Sequence, residues 1–72
     1  MKTKKQLMNI TYTTRGGRED RTRGFIRPLG QPRPTDRGAC RMIVAAITNE
    51  NPESLITESD VFVSRVETMV YA

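Results

Sequence analysis

Residues 7–14, LMNITYTT, are the stretch that decides the fold. Apolar side chains at Met8, Ile10 and Tyr12 alternate with polar ones, which is the period of two that is typical of a β-strand. The segment RGGRED over 15–20 follows, with paired glycines that allow positive φ and charged residues that stay solvated. We therefore predict a hairpin whose second strand covers residues 21–26.

Two segments after the hairpin have different compositions. Residues 28–38 contain three prolines and two glycines, which predicts an irregular loop. The apolar run from Met42 to Ile47 follows. Its short length and turn-rich flanks favour a central strand over residues 41–48, covered on both faces, although a buried helical segment gives a similar pattern.

The end of the chain predicts two more elements. Asn51 as a cap, Pro52 at the first helical position and Glu53 in the first turn predict a short helix through about Glu58. Residues 60–72 fit both a helix and a strand. The strand is favoured, because a hairpin and one apolar strand need another pairing partner.

Together these elements predict one small α+β domain over residues 1–72. It consists of a small antiparallel β-sheet of three to four strands, at most one short helix and a flexible basic arm over residues 1–6. The apolar side chains after Arg41 are too few to offset the cost of ordering the backbone alone. We expect help from a partner or from some of the following residues: Leu7, Met8, Ile10, Tyr12, Phe25 and Ile26.

The charge is segregated along the chain. Residues 1–41 hold eleven basic and three acidic residues, a charge of +8, whereas residues 42–72 hold one basic and five acidic residues, a charge of −4. Such segregation is typical of a chain in which one part contacts a polyanion or an acidic protein surface.

Composition also excludes several classes of function. With one cysteine and no histidine, the chain has no internal disulfide, no zinc site of ordinary ligand type and no histidine general base. We predict a protein that is not an enzyme and needs no cofactor or metal. The apolar run is too short to cross a membrane. The lack of disulfides favours the cytoplasm.

Candidate contact residues come from the strand and its basic flanks. An edge strand over residues 7–14 can add to a partner's sheet, with flanking bases matching acidic patches. An internal hairpin strand and an ordinary charged turn remain the alternatives. The predicted partner-binding residues are Lys4, Lys5, Met8, Ile10, Tyr12, Arg15, Arg18, Arg21 and Arg23. Because arginine forks bind phosphate well, Arg27, Arg33 and Arg37 are additional candidates for nucleic-acid contact.

Four features in succession carry a resemblance to a known class of protein. Lys2-Thr-Lys-Lys5 precedes Met8-Asn-Ile-Thr-Tyr12, and a basic hairpin and a compact apolar tail follow. In this the chain resembles small phage-encoded inhibitors and antiterminators of host RNA polymerase. The resemblance implies a monomer in the cytoplasm of an infected bacterium that binds the polymerase β and β′ subunits. It further implies docking near the RNA exit region, weaker retention of the sigma factor and terminator read-through.

Two other functions fit the same charge pattern. One is a stand-alone, sequence-tolerant nucleic-acid binder, although only Tyr12 and Phe25 offer aromatic platforms and no helix-turn-helix or zinc-finger signature occurs. The other is an inhibitor of another host complex.

Overall fold

A computed structural model describes residues 5–71 of the chain. Within this range the chain forms a three-stranded antiparallel sheet and one α-helix, which confirms the predicted α+β class. The elements in chain order are β1 (Lys5–Thr14), β2 (Arg21–Pro28), α1 (Asp36–Glu50), a 3₁₀ turn (Glu58–Asp60) and β3 (Val61–Tyr71). Of the predicted arm, residues 1–4 lie outside the described residues, whereas Lys5 and Gln6 belong to β1.

The predicted hairpin is present. β1 pairs antiparallel with β2 from Lys5 opposite Pro28 to Tyr12 opposite Arg21. In the turn, Gly16 has a φ of +82°, a conformation that glycine adopts without the steric cost of a Cβ. The N–H of Gly17 donates to the carbonyl of Thr14 at 2.8 Å and closes the turn.

β3 pairs antiparallel with the other side of β1, so the strand order is β2-β1-β3. This confirms the strand interpretation of the last segment. Thr11 lies opposite Arg65 and Tyr12 lies opposite Val63, so Ser64 is an extra residue in a β-bulge. Side chains of β3 alternate between the two faces of the sheet on both sides of Ser64, but this alternation shifts by one residue at Ser64.

The prediction of a strand over residues 41–48 is wrong, because they belong to α1. Thr35 caps this helix, with its Oγ1 accepting from the N–H of Gly38 at 3.1 Å. Ala39 and Ile43 are fully buried, whereas Ala45 is exposed. Burial thus repeats every four residues, as on a helix that covers one face of a sheet, and the continuous apolar run concealed this period.

The predicted short helix after Asn51 is also wrong. The N–H of Asn51 donates to the carbonyl of Ile47 at 2.9 Å, so this residue closes the C-terminal end of α1. Pro52 follows directly and cannot continue the helix. Residues 51–57 are irregular. At the other end of α1, the irregular segment before the helix stops at Thr35 instead of extending through Gly38.

The core lies between α1 and one face of the sheet. Met8, Ile10 and Tyr12 are buried there, as expected, together with Ala39, Ile43, Val61 and Val66. Phe25 packs against this cluster. Leu7 is only half-buried. The expectation for Ile26 is wrong, since it is 65% exposed on the opposite face, which we call the open face. The open face presents Leu7, Asn9, Thr11, Thr13 and the residues opposite them in β2 and β3.

Candidate partner-binding surface

The first predicted contact element is not available to a partner. β1 is the central strand and is paired on both sides, so its main chain cannot add to another sheet. Its side chains Met8, Ile10 and Tyr12 are 0, 0 and 4% exposed. These three residues are therefore core residues, and their assignment as partner contacts is corrected.

The predicted lysines lie at the start of β1. Lys5 is exposed, opposite Pro28 in β2 and Tyr71 in β3. Lys4 lies outside the described residues. Of this pair, only Lys5 can be placed on the surface.

Arg15 is used within the fold. Its Nε lies 3.3 Å from Oδ1 of Asp60, and a terminal nitrogen donates to the carbonyl of Ser59 at 3.2 Å. Its own N–H donates to the carbonyl of Asp60 at 2.8 Å. Hydrogen bonds from the backbone and side chain of Thr57, and then from Arg15, lower the pKa of Asp60. Arg15 thus ties the end of the hairpin strand to the start of β3.

Arg23 also has its binding partner within the fold. Its two terminal nitrogens donate to the two carboxylate oxygens of Glu50 at 2.9 and 2.8 Å, in the bidentate geometry typical of arginine. This hydrogen bonding raises the pKa of Arg23 and lowers the pKa of Glu50. The pair joins β2 to the last residue of α1, so Arg23 is a structural residue.

Arg27 and Arg41 also have binding partners within the fold. Arg27 donates to Sδ of Met8 at 3.5 Å, to the carbonyl of Gln31 at 3.0 Å and to the carbonyl of Pro32. It therefore holds the loop after β2 against the sheet, which argues against its predicted phosphate contact. Nε of Arg41 donates to Glu58 at 2.7 Å and joins α1 to the 3₁₀ turn.

Four exposed arginines make no ion pair or side-chain hydrogen bond within residues 5–71. We call them the unpaired arginines: Arg18, Arg21, Arg33 and Arg37. The first two lie in the hairpin turn and at the start of β2, and the other two lie before α1 and in its first turn. Their guanidinium groups are free for an external anion. The sequence predicted all four as contacts but did not separate them from the four arginines that the fold uses.

The open face is a surface that no local pattern in the sequence predicts. On it Leu7 lies opposite both Ile26 and Met69, which form an apolar row across all three strands. Phe62 is exposed on the same face, opposite Thr13. Leu7 and Met8 are neighbours in β1, and Phe25 and Ile26 are neighbours in β2, so in each pair one side chain faces the core and the other faces away. Once the strand order is known, this alternation predicts the apolar row.

No group of three or more acidic or cysteine residues that could hold a metal ion is found between residues 5 and 71. No helix in that range is long and apolar enough to cross a membrane.

No protein-family model matches this chain, and searches of curated proteins and of solved structures find no match.

Proposed function

We propose that the chain is a non-enzymatic phage regulator that binds bacterial RNA polymerase through the unpaired arginines. It acts in the cytoplasm of the infected host. It inhibits promoter-dependent initiation by weakening sigma-factor retention and promotes terminator read-through. Binding through arginines is supported by the structure, and the identity of the partner is supported by the resemblance of the basic segment and the following strand to polymerase inhibitors.

The observation that carries the proposal is the division of the arginines into two sets. The fold satisfies Arg15, Arg23 and Arg41 with carboxylates and Arg27 with carbonyl groups. The other four arginines of the basic half are exposed without such partners among the described residues. Exposed guanidinium groups that make no ion pair or side-chain hydrogen bond among the described residues remain able to bind an external anionic surface.

The contact surface proposed here differs from the one predicted from sequence. It loses the buried side chains of β1 and the arginines that the fold uses. It keeps Arg18 and Arg21 as one site, and Arg33 and Arg37, which the sequence predicted as nucleic-acid contacts, form the other. Carboxylates on the polymerase near its nucleic-acid channels would meet these sites. Because the contacts are exposed charges, association is expected to weaken as the salt concentration rises.

Reconstituted transcription tests the proposal directly. Saturating wild-type protein should reduce promoter-dependent initiation and increase read-through at an intrinsic terminator, and it should co-purify with the β and β′ subunits after nuclease treatment. The variant R18Q/R21Q should lose most of this effect. A matched control, A45E/T48E, changes the net charge by the same amount at exposed positions of α1 and should keep it.

Two outcomes would reject the proposal. One is unchanged initiation and termination at saturating protein. The other is nuclease-sensitive co-purification together with micromolar binding to bare DNA or RNA. In that second case, four phosphate contacts on duplex DNA predict a slope of about −3.6 for log affinity against log salt, and the chain would be a nucleic-acid binder.

A further inference from the structure

β3 is an edge strand of the sheet in the described part of the chain. It pairs with β1 on one side only and is an 11-residue strand. Such an edge presents unpaired N–H and C=O groups to any strand that can match it. It also carries Phe62 and Met69, which are 52 and 54% exposed. The charged residues and the β-bulge of β3 indicate which partner strand would match this edge.

The charges favour a second copy of the chain. Arg65 and Glu67 lie on the same face of β3 and are joined by an exposed ion pair of 2.7 Å. In an antiparallel pair of two copies, residues directly opposite each other share a face, and opposite charges there are favourable whereas like charges are unfavourable. If the pairing is centred on Arg65, the two copies of Arg65 lie opposite each other. If it is centred on Glu67, the two copies of Glu67 lie opposite each other. Only the intermediate register, centred on Val66, places Arg65 opposite Glu67 of the second copy.

This register also accounts for the two exposed apolar residues. Val66 is the midpoint of Val61–Tyr71, so both strands overlap along their length. Because Ser64 is an extra residue, the alternation shifts by one position beyond it. Phe62 then lies opposite Met69 of the second copy, on the open face of both. Phe62 and Met69 are each about half-exposed in a single copy. In the pair, the two-fold symmetry forms two contacts between a Phe62 of one copy and a Met69 of the other, and each contact removes apolar surface from water.

The other edge does not match itself in this way. β2 carries Arg21, Arg23 and Arg27 on one face. Self-pairing centred on any of its residues 23–25 places arginine opposite arginine, which is unfavourable. The difference between the two edges argues for pairing through β3 alone.

We propose that two copies of the chain form a six-stranded antiparallel sheet through β3, with Val66 on the two-fold axis. Arg65 of each copy lies opposite Glu67 of the other, and Phe62 lies opposite Met69. The inference differs from the monomer expected from sequence and does not depend on the proposed function. The carbonyl of Val61 already accepts from Sγ of Cys40 at 3.4 Å, so we expect the pairing between the two copies to cover residues 62–69.

Sedimentation equilibrium of the full chain from micromolar to millimolar concentration tests the pairing. The wild type should dimerise. R65E and E67R should each raise the dimer dissociation constant at least about tenfold, because two attractive cross-strand pairs become repulsive. An equimolar mixture of R65E and E67R should form a heterodimer, since two glutamates then face two arginines, although neither chain retains its internal ion pair.

Two controls make the result specific. R21E alters charge on the β2 edge and should leave the dimer intact. Circular dichroism of each variant should match the wild type, since both substituted side chains of β3 are exposed. The inference is overturned by a wild type that stays monomeric at millimolar concentration, by R65E or E67R dimerising like the wild type, or by no gain of association in the mixture.

Discussion

Arg23 in β2 and Glu50 at the end of α1 form a bidentate ion pair with hydrogen bonds of 2.9 and 2.8 Å. Near the other end of the same helix, Sγ of Cys40 donates to the carbonyl of Val61 in β3. α1 is thus attached to both edge strands and crosses the central one. This arrangement closes the core over Met8 and Ile10.

The first prediction concerns this pair. Arg23→Ala should lower the free energy of unfolding by about 1 kcal/mol, because two hydrogen bonds between charged groups are lost at a half-buried side chain. Urea unfolding followed by circular dichroism measures the change. Arg21→Ala is the matched control, since Arg21 lies two residues earlier on the same face and is exposed. Equal stability of the two variants would contradict a structural role for Arg23.

The second prediction is a loss of stability in acid. The pKa of Glu50 is lowered from its ordinary value of 4.5, and that of Asp60 from 3.8. A carboxylate with a lowered folded-state pKa stabilises the fold above its unfolded value, and the contribution disappears as the pH falls through the folded value. Stability should therefore decline below about pH 4.5. Urea midpoints between pH 7 and pH 2 measure this, and Glu50→Gln should show a smaller decline than the wild type.

The third prediction tests the start of α1. Thr35→Ala removes the oxygen that accepts from the N–H of Gly38, so it should cost about 1 kcal/mol of stability. Thermal unfolding measures the loss. Thr48→Ala changes an exposed threonine within the same helix and should be neutral or slightly stabilising, because alanine has the higher helix propensity. A Thr35→Ala variant as stable as Thr48→Ala would show that the cap is dispensable.

The fourth prediction concerns the contact between α1 and the sheet. Ile43 is fully buried, so Ile43→Ala should cost about 2 to 5 kcal/mol, which is a large part of the stability of a domain of this size. Leu55→Ala removes similar atoms from a side chain that is 92% exposed and should change stability by less than about 0.5 kcal/mol. If Ile43→Ala unfolds at nearly the same urea concentration as Leu55→Ala, α1 does not cover the sheet.

Local patterns predict β1 and the hairpin correctly, and they do not predict α1. The strand over the last segment is present, but residues 60–72 fit a helix as well, and the pairing argument that favours the strand relies on a strand over residues 41–48 that does not exist. The alternation over residues 7–14 predicts β1, and the paired glycines predict the turn. Both are patterns of neighbouring residues, so they can be read without knowing which distant residues are in contact. The run from Met42 to Ile47 is apolar at every position, so its period is visible only when burial separates Ile43 from Ala45. Asn51 occurs at both ends of helices and more often at the N-terminal end, so only the hydrogen bond from its N–H to the carbonyl of Ile47 shows which end it closes.

The sequence by itself determined the fold class, the turn and the concentration of positive charge in the first 41 residues. Only the tertiary structure decided that β1 is central and buried, and which arginines remain available to a partner. The reason is distance along the chain, since Arg15 meets Asp60 45 residues away and Arg23 meets Glu50 27 residues away. Such pairings depend on how the elements pack, and no local pattern of residues records them.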